Sequence, residues 1–128
     1  MKNFNQKFLA TVALVFVVVF SSFAQDGKAK TIKLDQTPGV FNKTELNLKA
    51  NKNYVFEITN DGVDHEVGFV IAELKADGEA GEHVKTSYLS KTIKDGETGS
   101  SKVVNLKPGT YGYFCPLNPT PVYKITVK

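Results

Sequence analysis

Three side chains with metal-binding or nucleophilic chemistry stand out in the 128-residue chain: His65, His83 and Cys115. Cys115 is the only cysteine, so it has no partner for an internal disulfide. In an oxidising compartment a free thiol persists when it is buried or when it holds a metal. A thiolate and an imidazole together form a soft donor pair, suited to copper. The same pair can serve as nucleophile and base, but no oxyanion-hole motif or orienting third residue accompanies it. A structural zinc site needs four donors, one more than the Cys and His residues supply. Two readings stay open from the residues alone: a buried thiol, or a soft-metal ligand.

The segments that must position these groups read as strands. Tyr111–Cys115 forms one β-like stretch and Val122–Val127 a last one, with Ile125 and Val127 alternating against Lys124 and Thr126. Between them Pro116, Pro119 and Pro121 fix φ at three positions of six, so the turn is stiff without a metal to tie it. Asn118 can hydrogen-bond the backbone of that turn. In Val63–Ile71 the odd positions are Val63, His65, Val67, Phe69 and Ile71, while Asp64, Glu66 and Gly68 fall between them. Period two predicts a strand there with His65 on its apolar face.

The remaining segments supply the scaffold. Thr31–Leu34, Thr44–Ala50 and Tyr54–Asn60 alternate apolar with polar residues, and Lys102–Leu106 reads as a further strand. Pro38-Gly39, Asn60-Asp61-Gly62 and Pro108-Gly109 mark turns, the second of hairpin type. Ala72–Gly99 is charged and weakly periodic; one short helix is expected within 79–90, over Glu82–Leu89, and exposed loop over Thr92–Gly99. About seven short strands with regular turn spacing predict an all-β, antiparallel Greek-key β-sandwich.

Bulk properties narrow the class further. Lys2 and Lys7 precede an uncharged run from Phe8 to Phe20, and Ser22-Phe23-Ala24 is a small-x-small cleavage pattern. Residues 1–24 are therefore expected to be a bacterial-type export signal, leaving one domain over 25–128 in the periplasm or outside the cell. The apolar run is short of the ~20 residues that span a bilayer, so no membrane span is expected once the signal is cleaved. All sixteen basic residues are lysine, two of them in the leader. Fourteen lysines then face thirteen acids, a net charge of +1 for residues 25–128. Scattered single lysines without arginine exclude a nucleic-acid surface.

The residues of this chain resemble the cupredoxin family over nearly all of 25–128. Phe41, the Glu45-Leu-Asn-Leu-Lys run, Tyr54-Val-Phe56, Asn60 and His65 follow the family's first half. Lys107-Pro-Gly-Thr-Tyr-Gly-Tyr-Phe-Cys115 is similar to its approach to the ligand loop. The resemblance implies His65 as the first copper histidine and Cys115 as the copper thiolate. It also implies electron transfer or copper transfer with a protein partner, as a monomer and not as an enzyme. Two ligands of the family pattern are missing. Asn118 stands where a second histidine is expected, Pro121 where the axial methionine is, and Met1 is the only methionine. An amide oxygen is a weak donor to copper, so a degenerate site is expected, with His83 or Asn118 as an additional donor. The alternative is a metal-free β-sandwich serving as an interaction or structural module of the periplasm or cell surface.

Overall fold

The computed structural model describes residues 28–118 and 120–128. The expected leader, residues 1–24, and Pro119 lie outside the described residues. Ten strands follow in order: β1 Lys30–Thr37, β2 Val40–Phe41, β3 Glu45–Leu48, β4 Asn53–Asn60, β5 Val70–Leu74, β6 Ala80–Val84, β7 Thr98–Ser100, β8 Val104–Asn105, β9 Gly109–Phe114 and β10 Tyr123–Val127. They form two sheets, β2-β1-β4-β7 with β8 also on β4, and β3-β10-β9-β5-β6. The expected sandwich is present.

Alternation places the core between the sheets. Tyr54, Phe56 and Ile58 of β4 are buried, while Val55, Glu57 and Thr59 are half-exposed. Leu34, Phe56, Ile58, Phe69, Ile71, Tyr113 and Ile125 are among the fully buried side chains. Each such side chain contributes about 1.5–3 kcal/mol by leaving water, so this double row holds the two layers together. Among the described residues no helix is long and apolar enough to cross a membrane.

Three expectations need correction. The sheets are mixed, because β1 runs parallel to β4 from Lys30↔Tyr54 to Gln36↔Asn60, and β3 runs parallel to β10. The chain changes sheets between β2 and β3, so β1 meets β4 as a non-consecutive neighbour, which a turn-by-turn reading does not detect. Ala80–Val84 is a strand and Lys85–Ser87 a 3-10 turn in place of the helix over 82–89. Ser87 takes over the capping work there, donating to the Val84 carbonyl and accepting from the Ile71 N–H at 2.8 Å. Finally, the strand expected over 63–71 begins only at Val70. Asn60-Asp61-Gly62 turns the chain into the other sheet rather than back along β4.

Gly99 of β7 shows how closely that crossover packs. A Cβ added there would lie 2.8 Å from Ile93 Cγ2, and Ile93 is fully buried. Overpacking of this kind costs about 1–3 kcal/mol. Gly99→Ala is therefore expected to lower the unfolding free energy by that amount, read as a lower urea midpoint at unchanged m-value, and an unaltered midpoint would show that the Ile93 shelf yields freely.

Candidate metal centre at the Cys115 end

Cys115 follows the last residue of β9 and continues its inward parity. Tyr113 and Cys115 are both buried, at 0% and 4% exposure. Three contacts hold the thiol in place. Its own N–H donates to Thr120 Oγ1 at 3.1 Å, closing the proline-containing turn. Its Sγ accepts from the Gly68 N–H at 3.4 Å. Gly68 also lies against the Pro116 ring, 3.4 Å from where a Cβ would stand. The backbone of residue 68 thus touches both the sulfur and the first proline of the turn.

His65 does not occupy the apolar face that its spacing predicted: its side chain is exposed. The reason is local. The fully buried Asn60 donates from Nδ2 to the His65 carbonyl at 3.1 Å and accepts at Oδ1 from the Val63 N–H at 2.9 Å. Residues 60–65 therefore curl around one side chain instead of extending. Val67 then pairs with Ile93 through two backbone bonds of 2.9 and 3.0 Å, and from Val67 to Ala72 every residue is buried. His65 Nδ1 lies 3.0 Å from the Glu66 carbonyl. A carbonyl only accepts, so Nδ1 carries the proton and the Nε2 lone pair is free.

Of the other two candidates, His83 lies across the sheet from the sulfur. His83 pairs with Ala72, one position off the row in which Ile71, Val84 and Tyr113 face the core. Its ring contacts Phe114 on the outer face at 5.9 Å, and its Nδ1 is 2.8 Å from the Tyr88 hydroxyl. His83 and Cys115 therefore occupy opposite faces of one sheet. Asn118 is half-buried, and its Nδ2 is buried without a hydrogen-bond partner. Among the described residues no three or more His, Cys, Asp or Glu side chains form a group able to hold a metal ion.

Sequence reasoning missed Gly68, Thr120 and Gln36. Gly68 works through its backbone, and a backbone donor leaves no periodic signature. Gln36 is fully buried with neither amide atom paired. Its inward position follows from extending the alternation of Ile32 and Leu34 by two residues, beyond the expected strand end at Leu34.

With this geometry described, the comparisons with known proteins assign the class. The chain belongs to the cupredoxin-like family, whose domain model matches residues 10–127. Among solved structures, auracyanin B is similar with a TM-score of 0.64 and 20% identity, over 81% of this chain and 92% of that one. Auracyanin A, described as a "blue" copper protein of the green thermophilic photosynthetic bacterium Chloroflexus aurantiacus, gives 0.61 and 17%, over 79% and 100%. The auracyanin of Roseiflexus castenholzii gives 0.58 and 16%, over 80% and 99%. At these identities the likeness is one of fold. No protein of curated function matches the sequence.

Copper chemistry of the blue type requires two imidazoles and a thiolate in one trigonal set. The residues present do not fit it: one thiol faces inward, one imidazole is exposed to solvent, and the other lies on the outer face of the sheet.

The neighbour of Cys115 on the inner row has its own titration. Tyr113 is pushed up to about 12, first by burial and second by Tyr123, and its hydroxyl donates to the Lys43 carbonyl. A phenol whose folded pKa exceeds its unfolded value of about 10 stabilises the fold fully below pH 10 and loses that contribution as pH rises toward 12. Urea stability is therefore expected to fall across pH 10–12, with a shallower fall in Tyr113→Phe. Identical slopes in the two proteins would remove Tyr113 as the cause.

Proposed function

We propose that this protein is an exported, non-enzymatic binding module on a cupredoxin scaffold, in which the family's thiolate position is kept as a buried structural thiol. One observation carries the reading: Cys115 is the only one of the three Cys and His side chains directed into the inner face at its end of the sandwich. The stiffness of the turn supports it. Thr120, Pro116 and the Gly68 amide together order the loop through protein contacts alone, so that the ordering role of a metal is already filled.

A specific observation favours a second reading, in which Cys115 and His65 hold Cu(I) and pass it to a protein partner. Gly68, which bonds the sulfur, lies only three residues beyond His65, and the His65 Nε2 lone pair is free. A backbone carbonyl on Nδ1 is the usual outer support of a metal-binding histidine.

Titration separates the two. Purified protein with Cu(II) is expected to show no intense visible thiolate-to-copper band, and with Cu(I) no stoichiometric retention against a competing chelator. One equivalent of Cu(I) retained by the natural protein, and lost in both His65→Ala and Cys115→Ser, would replace the module with the carrier. A visible band abolished by Cys115→Ser would instead establish a blue centre and refute both.

A further inference from the structure

The outer side of the Cys115 end carries a cleft of about 250 Å³ that no step above uses. Its apolar walls come from Val70, Leu89, Pro116 and Leu117. Two of its lining side chains are open to solvent, Leu117 at 52% and Tyr88 at 40% exposure, so a ligand seated in the cleft can cover them. The volume lies just under the ~300–1,000 Å³ of drug-sized sites, which suits a single substituted aromatic ring.

The polar groups of the lining select the substituent. They are His83, Tyr88, Lys91 and Thr92, and no carboxylate lines the cleft. His83 Nδ1 and the Tyr88 hydroxyl share one hydrogen bond of 2.8 Å. If the hydroxyl donates, Nε2–H remains to donate; if Nδ1–H donates, the hydroxyl proton remains. Either way the pair keeps one spare donor. Lys91 contributes the only charge among the lining residues. Its Nζ stands 3.8 Å from Glu97 Oε2 in an exposed pair, an arrangement worth little in water and open to replacement by a ligand carboxylate. The Thr92 hydroxyl is committed to Glu66 at 3.0 Å.

We infer that this cleft binds a small aryl carboxylate, its ring against Val70, Leu89 and Leu117 and its carboxylate toward Lys91 and the His83–Tyr88 pair. The inference rests on the binding-module reading and names its ligand class. Gly68 and Pro116 belong both to the cleft and to the cover of Cys115, so occupancy is also felt at the thiol.

The test is an amide-shift NMR titration of the purified chain with benzoate, benzyl alcohol and benzylammonium. Benzoate is expected to saturate in about the 0.1–1 mM range usual for so few atoms, with shifts concentrated at Gly68, Leu89 and Leu117. The expected order of affinity is anion, then neutral, then cation. Lys91→Gln is expected to weaken benzoate about two- to fivefold and leave benzyl alcohol unchanged. Leu117→Ser, at an exposed position that does not threaten folding, is expected to weaken all three. Equal affinity for the three probes, shifts scattered over the surface, or no saturation by about 10 mM would overturn the inference. Copper is titrated separately on the same sample. Benzoate failing without copper uptake defeats the ligand class alone, whereas copper uptake with benzoate still binding defeats the metal-free reading alone.

Discussion

One buried amide organises the end of the sandwich where function is sought. Asn60 is fully buried at the end of β4 and engages five groups. Its side chain reaches the Val63 N–H and the His65 and Ile93 carbonyls; its backbone reaches Gly96 and Glu97. A buried polar side chain so satisfied fixes local geometry, because each lost bond would leave a desolvated group at a cost of about 1–3 kcal/mol. The consequences run outward in sequence order. The chain leaves β4, curls through residues 60–65, and enters the other sheet with the Gly68 N–H aimed at the Cys115 sulfur. The same curl turns His65 toward solvent. Exposure of the imidazole and shielding of the thiol are thus two results of one arrangement.

That arrangement explains what was legible beforehand. Alternation in Tyr54–Asn60 and Val122–Val127 announced β4 and β10 because each has one face in the core and one toward water. The cysteine's burial stood open beside metal ligation in the sequence, and its parity with Tyr113 on the inner row accounts for it. His65 was misread because period two describes an extended chain, and residues 60–65 are held by a side chain instead. From Val67 to Ala72 both faces are covered, so no alternation survives to mark where β5 begins. The parallel pairs β1–β4 and β3–β10 escaped for a different reason: they join segments distant in sequence, and turn signals speak only of neighbours.

The two ends of the sandwich differ in how completely their polar groups are paired. At the end opposite Cys115, backbone bonds close the structure: Ala50 to Lys128, Asn51 to Leu106, and Lys128 to Leu48, at 2.8, 2.9 and 3.2 Å. Among the described residues the buried side-chain atoms left without partners, Gln36 Nε2 and Oε1 and Asn118 Nδ2, belong to the Cys115 end, since Gln36 pairs with Asn60 and Asn118 lies three residues past the cysteine. An unpaired buried amide destabilises its surroundings by about 1–3 kcal/mol. Sequence rules violated in one region and obeyed elsewhere point to a site rather than to poor construction. The stiff turn offsets part of that weakness: Pro116 lies against the Gly68 backbone and Thr120 closes the loop. The Cys115 end is thereby held at its surface by the turn's own contacts, which oppose the cost of the unpaired amides beneath.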